Sequence, residues 1–515
     1  MSTSESDIFD TLIIGSGFGG SMVAQTLVHA GERVLMLERG PWVARGPENW
    51  IPETWGELSP CYSRDTPYQA VVGGRRRIVG GHYCVGGPSV IYAGVSLRYR
   101  EEDFDPGPEI VGDSGAQWPC TYDDLESYYA RAERLLGVAG SDQADPTAPW
   151  RSAPYPHLPG PLSHPARLIE SAARSLGLKP FRLPLAINYR QDMGRACVAC
   201  TTCDGFACAI GAKNDLAVQV LPQLIQKGLA LKPNTVAVRL IHQGAVVVRV
   251  ECVDTHTSQA ITYRARRFVL SAGALASPHL LLASGLQHLN SAGDAVGCYL
   301  LRHYRSVVYG WFPRDPNPAQ EFHKQVGIHD YYFGHPTVRT PGGKLGGIQS
   351  IAIPPASLGA YLPKGLRPVA LRLLGHCTGL MVTTEDQPQY QNRVFLDLAT
   401  ADCWGRPGLV IEHRYSKRDL AAARALAGKA AQILRRAGAV LCFEFPIRTM
   451  THAAGTVRMG LDPCKSPLDP YCRFRGVDNL YVVDGSCLPT SAGVNPSLTI
   501  AANALQAAAL MIENP

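Results

Sequence analysis

Apolar residues fall in short runs and helical stripes along this chain rather than in long blocks. Residues Thr11 to Ile14 (TLII) form a mostly apolar run of strand character, and Met22, Val23, Ala24, Leu27 and Val28 then recur at helical spacing. A second apolar run, Val34 to Leu37, follows. Near the carboxyl end, Asn479 to Val483 reads as a strand. Asn495-Pro496-Ser497 then opens a helix, because Asn is a favoured N-cap and Pro fits the first turn. Residues 418–437, rich in Ala, Leu and Arg, predict an amphipathic helix packed on a sheet. The Pro-rich stretch 144–162 is irregular and reads as a surface loop or lid. No run of ~18 apolar residues exists, so no transmembrane segment is expected. The amino terminus, MSTSESDIFD, lacks the basic and apolar parts of a secretory signal, and a cytoplasmic location is expected.

Composition narrows the class without naming a function. The 515 residues are material for roughly two to four domains. With 46% hydrophobic and 18% charged residues, the chain has ample core and too little charge for disorder. Lys and Arg total 49 against 43 Asp and Glu, a net charge of +6 spread along the sequence. The one tight basic run, Arg75-Arg76-Arg77, is too small for a duplex footprint, so no nucleic-acid partner is expected. The fifteen cysteines, without an export signal, read as mostly reduced and buried thiols.

The strand ending at Ile14 leads into Gly15-Ser16-Gly17-Phe18-Gly19-Gly20, then a helix, a second strand and Glu38. That is the order of a dinucleotide-binding βαβ unit. Gly15 permits the tight turn, Gly17 lets backbone N–H groups reach a pyrophosphate, and Gly20 allows close helix–strand packing. Glu38 stands where a carboxylate accepts hydrogen bonds from an adenosine ribose. NAD and FAD both use this unit. The helix start after Asn495 adds a redox rationale: its N–H groups and partial positive charge, aimed at a flavin ring, stabilise the negative charge that appears on reduction.

Taken together and in order, these segments resemble the glucose–methanol–choline (GMC) flavoprotein oxidoreductases over nearly the whole chain. The residues that carry the likeness are Gly15 to Glu38, V-G-G-P-S-V-I-Y-A-G from Val85 and W-P-C-T-Y-D-D-L-E-S-Y-Y from Trp118. S-A-G-A-L-A-S-P-H-L-L-L-A-S-G from Ser271 and the carboxyl stretch from T-H-A-A-G-T-V-R-M-G onward complete it. The resemblance implies an α/β fold: a Rossmann-like FAD-binding domain of the p-hydroxybenzoate-hydroxylase type, with a substrate domain built on an antiparallel sheet. The FAD domain would comprise residues 1–41, 73–105, 215–304 and 455–515, and the substrate domain 42–72, 106–214 and 305–454.

The same resemblance assigns roles. His452 would take the hydroxyl proton of an alcohol while its hydride moves to flavin N5, and the Asn495 amide would hold the substrate oxygen. The bland alternative makes His452 an interior histidine and Asn495 only a helix cap. FAD contacts are implied at Gly15, Gly17, Phe18, Gly19, Gly20 and Glu38. Gly87, Ser89 and Tyr92 would lie beside the isoalloxazine, and the Val238 backbone beside the adenine. Ala272, Gly273, Asp484, Gly485, Asn495 and Pro496 complete the set. Some relatives attach FAD through a His two residues after the loop Ser. Ile91 stands there, so non-covalent FAD is expected, with His82 on the other side of the loop.

Cys197, Cys200, Cys203 and Cys208 read C-x2-C-x2-C-x4-C. Their spacing leaves open an iron–sulfur cluster, a zinc site, or structural cysteines ordering a loop, disulfide-bonded or free. The reading as a whole is FAD-dependent oxidation of a CH–OH group on a small-molecule alcohol, sugar-like or alicyclic, with oxygen or another electron acceptor. Its rivals are a non-redox flavin lyase or isomerase on the same fold, an iron–sulfur-linked dehydrogenase, an NAD-binding dehydrogenase, and a protein that binds FAD without turnover.

Overall fold

The amino-terminal apolar run forms the strand Ile8–Ile14, and the next run forms Val34–Leu37, all four residues of which are buried. The structure is a computed structural model that describes residues 8–51, 62–72, 74–141, 145–322, 324–338, 343–351, 365 and 367–513. In it the two strands lie side by side and parallel, connected through the helix Phe18–His29. Three further strands, Thr235–Gln243, Val246–Asp254 and Ala260–Leu270, run as an antiparallel meander whose last member pairs in parallel with Ile8–Ile14. Ala230–Lys232 and Leu480–Val482 complete a seven-stranded sheet. A helix crosses over between its first two strands and hairpins join the meander, and the largest apolar core of the molecule surrounds the sheet.

A second sheet of six strands is antiparallel throughout, in the order Leu441–Pro446, Tyr304–Trp311, Cys377–Thr384, Gly346–Ile351, Val326–Ile328, Phe181–Arg182. The helix Lys417–Arg436 lies on it and buries Ala422, Leu426, Ala430 and Ile433, as the 418–437 periodicity predicts. Its start is fixed by a capping box in which Ser416 and Asp419 satisfy each other's backbone N–H groups. The third sheet holds Arg393–Ala401, Pro407–His413, Tyr62–Val72 and Arg75–His82. The expected domain boundary at 72/73 divides the hairpin formed by its last two strands.

Two long-range braces place the carboxyl stretch over the nucleotide unit. The helix Ser497–Glu513 packs on Phe18–His29 and on Tyr122–Leu136. The Trp118–Tyr129 motif ties down the loop before it: Trp118 Nε1 donates to Thr490 Oγ1 at 2.8 Å, and Tyr129 and Thr499 share a 2.7 Å hydrogen bond. Beneath them Arg98, 2% exposed, pairs with Glu126 at 2.9 Å and Glu133 at 2.8 Å. Residues 145–162 form neither helix nor extended strand, yet they are anchored, because Asp145 pairs with Arg100 at 2.6 Å and His329 at 2.8 Å. Among the described residues no helix is long and apolar enough to cross a membrane.

Candidate active site

The glycine turn after Ile14 is built as its spacing requires. Gly15 sits at φ +104, a conformation that side chains oppose, and a Cβ on Gly20 would fall 2.0 Å from the Gly15 carbonyl oxygen. Gly17 differs. A Cβ there would meet nothing within 4 Å, although Gly17 lies at the mouth of Phe18–His29 with no side-chain cap over the helix end. The result is an open cradle at a helix N-terminus, the shape and donor set that a pyrophosphate needs. Gly87 closes its far side, its own Cβ position lying 3.1 Å from Gly17 Cα. Gly15, Gly17, Phe18, Ala272 and Gly273 are partly open while Ser16, Gly19 and Ser271 beside them are buried, so the cradle is a cleft in the interior.

The remaining cofactor candidates divide into those that face this cleft and those that support it. Val238 is the extra residue of a bulge between Ala237 and Arg239, leaving its backbone outside the strand ladder. Phe18 and Tyr92 rings meet edge to face at 5.6 Å, and the Tyr92 hydroxyl donates to the Asn214 carbonyl. Glu38 is 7% exposed, and its carboxylate accepts from Ser16 N at 3.0 Å, from Ser16 Oγ and from Gly40 N, with burial pushing its pKa up. Ser89 donates to the Gly86 carbonyl and accepts from Leu216 N, which pins the 86–92 loop. Asp484 accepts from Gly273 N at 2.9 Å, from Ser277 Oγ and from Ser486 N, and so joins the 271–273 turn to Gly485. The donors, the open cradle and the unladdered Val238 fit an FAD. Pro496 is buried and accepts the first helical bond, from Ile500 N.

His452 and Asn495 come together. Asn495 Nδ2 lies 3.5 Å from His452 Nε2, and both residues are half open while Ala454 and Val494 next to them are buried. Asn495 does not spend its carbonyl oxygen on the helix behind it. That atom accepts from Gln349 Nε2 at 2.7 Å, so the expected N-cap role gives way to a side chain held across the pocket. His303 stands behind His452, with 3.1 Å between the two Nδ1 atoms, and its Nε2 lies 2.9 Å from the Ser491 carbonyl oxygen. Burial, together with the nearby cations Arg305 and Lys324, holds the His452 pKa well below the ordinary 6.5. The imidazole is therefore neutral near pH 7 with a nitrogen free to take a proton.

His303 and Gln349 carry no motif. They reach the site only because the antiparallel sheet brings Tyr304–Trp311 and Gly346–Ile351 beside the carboxyl stretch. The cysteine run behaves differently from its metal readings. Among the described residues no group of three or more His, Cys, Asp or Glu side chains could hold a metal. The four thiols line a cavity of about 10 Å³, room for roughly one water. Burial pushes the Cys197 thiol up to about 11 and Cys203 well above its ordinary value, so without a metal both stay protonated near pH 7. All four are free, so they do not pin the loop as disulfides.

Comparison with known proteins identifies the family. Two family profiles described as GMC oxidoreductase match residues 9–305 and 388–504. The chain is 33% identical to 6'''-hydroxyparomomycin C oxidase of Streptomyces lividus, covering 97% of this chain and 90% of that protein. It is 31% identical to paromamine 6'-oxidase of Streptomyces fradiae, covering 97% and 91%. Among solved structures, pyridoxine 4-oxidase from Mesorbium loti superposes with a TM-score of 0.69 at 20% identity, over 98% of this chain and 99% of that one, which is a likeness of fold. The chain belongs to the GMC oxidoreductase family and is an FAD-dependent enzyme that oxidises a CH–OH group.

Proposed function

We propose that this enzyme oxidises a sugar-like or alicyclic alcohol to the carbonyl compound, with His452 as the base and Asn495 as the holder of the substrate oxygen. The observation that carries this reading is the 3.5 Å approach of Asn495 Nδ2 to His452 Nε2, two partly buried side chains. When bound, FAD supplies the acceptor for the carbinol hydride.

This chain's residues do the rest. His452 Nε2, proton-free near neutrality, takes the hydroxyl proton, which raises the hydride-donating power of the carbinol carbon. Asn495 cannot act as a base; its N–H donates to the substrate oxygen and fixes the carbinol carbon's orientation. Gln349 holds the Asn495 carbonyl oxygen, so that the amide presents N–H rather than C=O to the pocket. The Gly17 cradle and the Val238 backbone hold the cofactor without a covalent bond: Ile91 occupies the position of an attaching His, and His82 ends the strand Arg75–His82. The sugar-like substrate class is supported by the two aminoglycoside oxidases, each matched over nearly all of both chains.

The test is anaerobic mixing of the purified flavoprotein with a panel of amino sugars, sugars and cyclitols beginning with paromamine. Bleaching of the visible flavin band by members of the panel is the predicted result. No bleaching by any CH–OH compound, with turnover of a non-redox substrate instead, would favour the lyase or isomerase chemistry.

A further inference from the structure

We propose that His303 is a positioning residue that fixes which nitrogen of His452 is the base, through a one-directional hydrogen-bond chain that starts at the Ser491 carbonyl. This rests on the reading of His452 as the base.

The direction of the chain follows from donor chemistry. The Ser491 carbonyl oxygen only accepts, and it lies 2.9 Å from His303 Nε2, so that nitrogen carries the hydrogen. Burial, against the pull of Asp386, keeps His303 neutral. Its Nδ1 is then a bare acceptor, and among the described residues its hydrogen-bond partner is His452 Nδ1 at 3.1 Å, which must donate. A neutral His452 with its hydrogen on Nδ1 leaves Nε2 bare and turned toward Asn495. The Asn495 amide agrees from the opposite end. Its oxygen takes the Gln349 N–H, so its NH2 faces His452 Nε2, which is the only arrangement that puts a donor rather than a second lone pair there.

The backbone is built to hold this arrangement. His303 at φ +55 and His452 at φ +66 are both non-glycine residues in the left-handed region, a conformation that persists only where the surroundings enforce it. Asp386 enforces it at His303, accepting from the Arg302 N–H at 2.8 Å and the His303 N–H at 3.1 Å, while the Tyr415 hydroxyl holds the His303 carbonyl at 2.8 Å. The Ser491 carbonyl is itself steadied by the Tyr99 hydroxyl at 2.7 Å. The groups facing the pair are Arg305 and Lys324 toward His452, and Asp386 and Arg305 toward His303. Neither cation accepts a hydrogen bond, so none of them competes with His303 for the His452 Nδ1–H.

The experiment is nitrogen NMR of the FAD-bound enzyme with 15N-labelled histidine, the His452 signals being identified by their loss in His452→Ala. The wild type should show a protonated Nδ1 and a bare, pyridine-like Nε2 on His452. His303→Leu should turn this into a tautomer mixture, and His303→Asn, whose side-chain oxygen can occupy the Nδ1 position, should restore it. The flavin-reduction rate should drop about 10²-fold in the Leu variant and recover at least in part in the Asn variant, with FAD still bound. A hydrogen on Nε2 of His452 in the wild type would overturn the proposal without any variant having to fold. So would an unchanged His452 tautomer in His303→Leu. If instead the tautomer is as stated but His452→Ala reduces flavin normally, the reading of His452 as base fails and the hydrogen-bond chain stands.

Discussion

Gly17→Ala separates the cofactor cradle from the fold that carries it. Gly17 has φ −69 and ψ −168, which alanine adopts freely, and its Cβ would meet no atom of the protein within 4 Å. The apo protein should therefore melt within a few degrees of the wild type, since the substitution adds no contact and costs about 1 kcal/mol at a helix N-cap, where Gly is favoured over Ala. The methyl group points into space that the pyrophosphate needs if backbone N–H groups are to reach it. Keeping the phosphate about 1 Å farther out weakens donor–acceptor contacts from hydrogen-bond length to beyond it, a loss of about 1.4–2.8 kcal/mol for one or two charge-assisted bonds, or roughly 10–100-fold in Kd. Gly20→Ala is the control. Its Cβ would stand 2.0 Å from the Gly15 carbonyl oxygen, so the turn must shift and the apo protein should lose stability by about 1–3 kcal/mol. The assay is FAD titration of stripped protein by flavin fluorescence, alongside thermal melts of both apo variants. Wild-type FAD affinity in Gly17→Ala would refute the placement of the pyrophosphate.

Further outcomes are expected. Because burial and neighbouring cations hold His452 well below 6.5, its neutral form prevails at neutrality; flavin reduction should be flat around pH 7 and fall only as pH drops through a value beneath 6.5, read from rapid-mixing rates across pH. A limb centred above 6.5 would remove that assignment. Arg98→Met leaves Glu126 with the Ser152 N–H but no cation and Glu133 with Arg151, so urea denaturation should show a loss of about 3–5 kcal/mol, whereas a loss under 1 kcal/mol would show the buried pairs to be dispensable. Purified protein should contain neither iron nor zinc in proportion to its chains, and Cys200→Ser should keep the wild-type flavin spectrum; stoichiometric metal lost in that variant would contradict the thiol reading of the cysteine run.

The parts of this molecule legible in the sequence are those whose causes are local or whose motif is contiguous. The Gly15–Glu38 unit reads directly, because the turn, helix and flanking strands are all determined within one βαβ segment. His452 and Asn495 stand out through their motifs, and the structure brings them together across 43 residues. Their partners were not legible: His303 meets His452 across 149 residues and Gln349 meets Asn495 across 146, contacts set by the register of an antiparallel sheet rather than by any local pattern. Asn495 shows the opposite failure. Its local context, Asn-Pro-Ser before a helix, predicts a cap, but the competing bond from Gln349 turns the side chain into the pocket. At Cys197–Cys208 the spacing alone suggests ligands, while among the described residues the fold does not gather these side chains into a group that could hold a metal.

The most direct test of the account is the rate of flavin reduction in His452→Ala, measured by anaerobic stopped-flow with whichever alcohol of the panel bleaches the wild type fastest. The account predicts a variant that retains FAD and its yellow spectrum but reduces it about 10²–10⁴-fold more slowly. A variant that bleaches as fast as the wild type would show that the proton leaves the substrate by another route.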